Sequence, residues 1–217
     1  MLPITLYSHP FGPNPWKVAL ILEELNIPYT TKFVDFSEVK KEPYTQLNPN
    51  GRLPSIQDPN TDITLWESGA IIEYLIEKYD VKHQLSHNTF TETYLAKQWL
   101  HFQASGQGPY YGQASYFTRI HPERIQSAID RYANEIRRVT GVLESVLKTR
   151  DWLVGDKCTY ADLCFIAWQR WASRYGGEDI YKDCPHVEAW LERMKTRPAV
   201  KKIFADQDFA MSEAEKK

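Results

Sequence analysis

A proline at the head of a short apolar strand constrains a fold sharply, because it offers no N–H to the neighbouring strand. Here it is Pro54, in Asn50-Gly51-Arg52-Leu53-Pro54-Ser55-Ile56, and Leu65-Trp66-Glu67-Ser68-Gly69-Ala70-Ile71-Ile72 follows after a turn. A cis Leu53-Pro54 bond would turn the Leu53 amide and carbonyl outward, where they can pair with an extended peptide as an added strand does. Only about 5% of X-Pro bonds are cis, so Pro54 has to be read with what comes after it. Glu67 and Ser68 begin a helix whose first N–H groups are unpaired and whose dipole favours an anion. A ligand carboxylate can sit on the Ser68 hydroxyl and amide while Glu67 faces an α-ammonium group. Read alone, the pair is equally a plain helix start, with Ser68 as a cap and Glu67 in water. Together with Pro54 it is an arrangement for holding a small zwitterionic peptide.

The order of elements around these residues is legible. Ile4-Thr5-Leu6-Tyr7 reads as a strand, and the loop from His9 to Pro15 is rich in Pro and Gly. Apolar residues from Trp16 to Leu25 fall on helical spacing, and Tyr29 to Phe36 is β-forming. Arg52 to Gln57 and Ile63 to Trp66 pair as a hairpin across Asp58-Pro59-Asn60, and Ser68 to Lys78 is a helix. This βαβ-ββα order describes an α/β thioredoxin-like module over residues 1–80. Beyond a polar linker, 81–89, strand signals stop, and residues 90–217 read as an all-helical domain. Its clearest helix, Arg124 to Leu147, carries the stripe Ile125, Ile129, Tyr132, Ile136, Val139, Val142, Leu143, Val146 and Leu147. Further helical spacing covers Thr91 to Phe102, Tyr160 to Tyr175 and Val187 to Met194. Thr159-Tyr160-Ala161-Asp162 is a capping box, and Met211 to Lys217 reads as a frayed, solvated tail.

Composition narrows the function classes. Net charge is −2 over 217 residues, which argues against a nucleic-acid partner, since phosphate binding needs a basic excess. No apolar run approaches the ~20 residues of a membrane span, and the N-terminus has no leader layout. Three cysteines, Cys158, Cys164 and Cys184, are without metal-ligand spacing and point to a reducing cytosol. None of the six histidines sits in metal spacing, and no Gly-rich phosphate loop occurs, so no metal is expected.

A thiol is the chemistry that suits the first helix. In Pro13-Asn14-Pro15-Trp16-Lys17-Val18, Asn14 reads as the N-cap and Pro15 as the first helical residue. A thiolate there would feel the positive end of the dipole, which it needs, because a free thiol has a pKa of about 8.5. An Asn14 side chain that caps the helix through its oxygen can donate from its NH₂ group to sulfur. Tyr7 is the rival donor, although strand alternation equally packs it as a core aromatic; Ser8 is an ordinary loop hydroxyl. Lys40, Lys41 and Arg52 can face a carboxylate at the far end of the peptide.

In order and spacing, Pro13-Asn14, Asn48-Pro49-Asn50-Gly51-Arg52-Leu53-Pro54, Trp66-Glu67-Ser68-Gly69-Ala70-Ile71, Phe102-Gln103-Ala104-Ser105-Gly106-Gln107-Gly108-Pro109, Gly112-Gln113-Ala114, and Trp152-Leu153-Val154-Gly155-Asp156-Lys157 with Ala161-Asp162-Leu163 resemble the cytosolic glutathione transferases. The likeness covers nearly the whole chain. It is greatest to the fungal branch that includes the globular domain of the yeast nitrogen-regulator prion protein, with the bacterial Nu class more distant. The resemblance implies a thioredoxin-like domain followed by a helical one, glutathione as cosubstrate with no prosthetic group, and a homodimer. It implies that the Leu53 main chain pairs with the cysteinyl part of glutathione beside a cis Pro54. Glu67 and Ser68 would take the γ-glutamyl end, Arg52 and Lys40 would face the glycine carboxylate, and Asp162 would cap a helix that matters for folding. The departure is at sulfur: many classes have a catalytic Ser or Thr where this chain has Gly12, which leaves Asn14 first and Tyr7 second as thiolate donor. The implied reaction is attack of the thiolate on an apolar electrophile. Glutathione-dependent disulfide reduction, and a regulatory protein that binds glutathione with little turnover, stay open beside it. The acceptor site is expected between the two domains, where pockets commonly form, with Phe11, Tyr110, Tyr111 and Tyr116 as candidate lining.

Overall fold

The computed structural model describes residues 1–216, which form two compact units: Met1–His87 with the segment from Thr196 onward, and Asn88–Lys195. The first contains β1 (Ile4–Ser8), α1 (Pro13–Glu24), β2 (Tyr29–Phe33), α2 (Tyr44–Leu47), β3 (Ser55–Asp58), β4 (Ile63–Trp66) and α3 (Ser68–Tyr79). Its sheet runs β2-β1-β3-β4, with β1 and β2 parallel and the other pairs antiparallel. Leu6 lies opposite Thr31 on one side and Ile56 on the other. The period-2 rule sends Ile4, Leu6 and Ser8 into the core and leaves Thr5 and Tyr7 half-buried on the other face. Ile56, Val18, Ile21, Leu22, Ile71, Ile72 and Leu75 complete that core, none showing measurable exposure. Burying each such side chain is worth about 1.5–3 kcal/mol.

The expected βαβ-ββα order is therefore present, with local differences. β2 stops at Phe33 rather than Phe36, and the short α2 was not legible in the sequence. The hairpin is tied to α3 through Asp58, which is 1% exposed. One carboxylate oxygen accepts from the Asn60 backbone and side chain, both at 2.8 Å, and the other from Tyr74 at 2.6 Å and from Tyr79. Burial pushes the Asp58 carboxyl up, but the donors from Tyr74, Tyr79 and Asn60 outweigh it and hold the pKa below the usual carboxylate range.

The second unit is helical: α4 (Phe90–Phe102), a π-helical turn (Gln103–Gln107), α5 (Gly108–Arg119), α6 (Gln126–Leu147), α7 (Tyr160–Gln169), α8 (Ala172–Gly176) and α9 (Pro185–Lys195). Ile136, Val139, Leu143 and Leu147 of the expected α6 stripe are buried. The expected long helix from Tyr160 is two, α7 and α8. The capping box at Thr159 is present. Asp162, without exposure, accepts from the backbone of Leu153 and Thr159 and from Trp190 Nε1, each at 2.9 Å. It thus joins the start of α7, the preceding loop and α9.

The terminal residues depart most from expectation. Instead of a frayed tail, α10 (Pro198–Glu215) runs almost to the end of the described chain, and it belongs to the first unit. Both carboxylate oxygens of Glu24 on α1 accept from Arg197, at 2.6 Å each, and Lys202 reaches Glu23 at 3.0 Å. Val200, Ile203 and Gln207 are its buried positions. Among the described residues, no helix is long and apolar enough to cross a membrane.

Candidate functional site

The Leu53-Pro54 peptide bond is cis, as is Glu42-Pro43. Around Leu53 the backbone is held by residues that sequence reasoning passed over. The Arg52 carbonyl accepts from the Tyr44 hydroxyl and from Asn48 Nδ2, both at 2.7 Å. Asn48 also folds the preceding turn by accepting from Asn50 N at 2.9 Å. Gly51 adopts φ +59, and a Cβ there would meet the Val39 carbonyl at 2.6 Å, so the turn requires glycine. The signal was present in Asn48-Pro49-Asn50-Gly51, a turn sequence whose asparagines can bond their own backbone. Among the described residues the Leu53 amide and carbonyl make no hydrogen bond. An unused donor–acceptor pair thus lies just before β3.

At the start of α3 the first intrahelical bond runs from Ile71 N to the Glu67 carbonyl, at 2.9 Å. The Ser68, Gly69 and Ala70 amides precede it and are therefore orphan donors. Glu67 holds the N-cap position at φ 70, a left-handed conformation uncommon for a residue with a side chain, and makes no side-chain cap bond. Its carboxylate is exposed, with Asn50 Nδ2 at 3.5 Å. Ser68, read as a possible cap, is instead the first helical residue, and its hydroxyl makes no hydrogen bond among the described residues. Backbone donors, a hydroxyl and an exposed carboxylate thus meet at one helix start.

The α1 start corrects the sequence reading. The N-cap is Gly12, extended at φ −88 and ψ 107, Pro13 is the first helical residue, and Asn14 is the second. Proline at the first position, with its φ already helical, outranks asparagine's preference for the cap. Because Pro13 and Pro15 lack N–H groups, Asn14 carries the only backbone donor of those three positions. Tyr7 lies elsewhere: its hydroxyl donates to Gln57 Oε1 at 2.7 Å across the sheet, and its ring meets Tyr44 edge-on. Ser8 is buried. Lys40 donates to the Asn50 carbonyl at 2.6 Å, while Arg52 is exposed and its guanidinium has no partner among the described residues.

The acceptor candidates separate. Phe11 is half-buried in the β1–α1 loop. Tyr110 and Tyr116 reach the surface of α5, Tyr116 being 39% exposed. Tyr111 does not: it is fully buried, and its hydroxyl donates to Gln169 at 2.9 Å. Burial raises its pKa to about 12 against the pull of Thr140, Gln107 and Gln169, so Tyr111 is a core residue of the helical unit. Among the described residues no three His, Cys, Asp or Glu side chains could hold a metal ion.

This site, on this fold, has known counterparts. Residues 2–77 match the Glutathione S-transferase, N-terminal domain family, and residues 109–198 match the Glutathione S-transferase, C-terminal domain family. The chain belongs to the glutathione S-transferases. It is 52% identical to the Glutathione S-transferase-like protein tpcF of Aspergillus fumigatus over 216 residues, covering 94% of this chain and 96% of that one. It is 37% identical to Protein URE2 of Candida albicans, covering 91% of this chain and 68% of that one. Among solved structures, the glutathione transferase URE2P6 of Phanerochaete chrysosporium, in complex with oxidized glutathione, superposes with a TM-score of 0.92 at 46% identity, covering 95% of this chain and 97% of that one. The resemblance to the fungal, URE2-type branch is a family relationship.

Proposed function

We propose that this protein binds glutathione, lowers the pKa of its thiol and delivers the thiolate to an apolar electrophile. The observation that carries this reading is the unpaired Leu53 main chain beside a cis Pro54, in the same unit as the open start of α3. The cysteinyl amide and carbonyl would pair with Leu53, and the γ-glutamyl carboxylate would take the Ser68 hydroxyl and the orphan amides. Its ammonium would face Glu67, and the glycine carboxylate Arg52, with Lys40 beside it. Asn14 is the thiolate donor, because the Tyr7 proton is already given to Gln57. The protein would act as a homodimer in a reducing cytosol, a setting in keeping with three cysteines that form no disulfide.

A second reading, glutathione-dependent disulfide reduction, gains support from the relative solved with oxidized glutathione. One experiment separates the two: conjugation of 1-chloro-2,4-dinitrobenzene and glutathione-linked reduction of hydroxyethyl disulfide, each for wild type and Asn14→Ala. Conjugation that falls about tenfold or more in Asn14→Ala, with glutathione still bound, is expected. Strong reduction with negligible conjugation reverses the order. Tight binding with no turnover in either assay assigns a regulatory role.

A further inference from the structure

The loop from His9 to Gly12, between β1 and α1, has no regular structure of its own, yet it decides where Asn14 sits. In Pro10-Phe11-Gly12-Pro13-Asn14-Pro15, pyrrolidine rings fix φ at the first, fourth and sixth residues. Gly12, ahead of Pro13, is confined to the extended backbone that it shows. Asn14 is thus carried on a stiff arm whose free rotations are at Phe11 and Gly12. What holds that arm in one place comes partly from the other end of the chain.

Two side chains grip the loop by its carbonyls. Trp16 Nε1, on α1, is shared between the His9 carbonyl at 3.2 Å and the Pro10 carbonyl at 3.0 Å, and Gly12 N closes the turn onto the His9 carbonyl at 3.1 Å. Gln207 Nε2, on α10, donates to the same Pro10 carbonyl at 3.4 Å. Gln207 is 1% exposed, and a buried amide is costly unless it is bonded. Its placement follows from the ion pairs at the far end of α1. Arg197 and Lys202 meet Glu24 and Glu23 in the last turn of α1, and ten residues of helix advance about 15 Å, roughly the length of α1. α10 therefore runs back along α1 and brings its glutamine to the α1 start.

We propose that Gln207 and Trp16 are positioning residues for Asn14, and that α10, through Gln207, fixes the β1–α1 loop in the placement from which Asn14 donates to the glutathione sulfur. The inference rests on the glutathione reading above and names what makes its thiolate donor effective. Both side chains act on the backbone at His9 and Pro10, and the proline-stiffened arm passes their hold on to Asn14. A donor fixed in advance toward sulfur stabilises the charge there without reorganising, whereas one displaced by about 1 Å can lose about a hundredfold in rate. Leu53, Glu67 and Ser68 belong to other segments, so the hold on the peptide itself does not depend on this brace.

A double-mutant cycle tests this, combining Asn14→Ala with Gln207→Met, which keeps the length of the side chain and removes its donor. Three quantities are read: kcat for conjugation of 1-chloro-2,4-dinitrobenzene, the pKa of the bound glutathione thiol from thiolate absorbance across pH, and glutathione affinity by calorimetry. Gln207→Met alone should lower kcat about tenfold and raise the thiol pKa, with affinity unchanged within about twofold. Added to Asn14→Ala, it should change kcat by no more than about twofold, because the group it positions is already gone. Equal losses in both backgrounds, or no loss in either, overturn the positioning role. Trp16→Phe, which keeps a ring and removes the N–H, is read the same way and decides the matter should Gln207→Met fail to fold. Failure of the underlying reading looks different. Full activity in Asn14→Ala overturns Asn14 as the donor, and absence of glutathione binding to the wild-type protein overturns the glutathione reading, whereas additive losses remove only the brace.

Discussion

Ser68 shows how much one side chain can report. As a cap its hydroxyl would be consumed by the helix. As the first helical residue, with Glu67 bent back at φ 70 ahead of it, the hydroxyl is left for something else. If that is the γ-glutamyl carboxylate, Ser68→Ala loses a hydrogen bond to a charged group, worth about 1–3 kcal/mol. Calorimetry should therefore show glutathione affinity falling by about fivefold or more; unchanged affinity removes Ser68 from the site. The α3 start at Ser68 was readable beforehand, but the α1 start was read two positions late. Asn14 carries the side chain preferred at a cap, yet Gly12-Pro13 fixes the start earlier. Tyr44 and Asn48 were missed because their work is on the Arg52 carbonyl, four or more residues away, which no local pattern displays.

Among strands and helices, strong periodicity predicted well and weak periodicity failed. Six elements of the first unit, β1, α1, β2, β3, β4 and α3, are recoverable because each has either alternation or a 3.6-residue stripe. The four-residue α2 is too short for a pattern. The π-helical turn at Gln103–Gln107, which runs into α5 at Gly108-Pro109, likewise has no local pattern to announce it. The hairpin–α3 clamp at Asp58 is also tertiary. Because its native pKa is depressed, Asp58 contributes stability that is complete above the unfolded value of about 3.9 and is lost as pH falls through the lower native value. Asp58→Asn should cost about 1–3 kcal/mol at pH 7, through the weakened Tyr74 and Tyr79 bonds. It should also flatten the loss of stability on acidification below pH ~4, as read from urea midpoints.

For the chain taken together, the three thiols offer a simple check. Cys158 and Cys164 are buried, and Cys184 is half-buried, with burial raising its pKa ahead of the nearby Glu144 and Asp183. A thiol reagent at pH 8 should label Cys184 slowly and the other two only after denaturant is added; rapid labelling of all three in native buffer contradicts this packing. The division into units was legible as far as the change from mixed to helical character. It could not show that α10 returns to the first unit, because its buried face includes a glutamine and is too sparse to announce itself. That return has a temporal consequence. The ion pairs on Glu23 and Glu24, and the Gln207 bond to the Pro10 carbonyl, come from a stretch made only after the entire helical unit. A nascent polypeptide can lay down its sheet early, but that module stays unfinished until the ribosome has made the whole helical unit that interrupts it and the helix that follows.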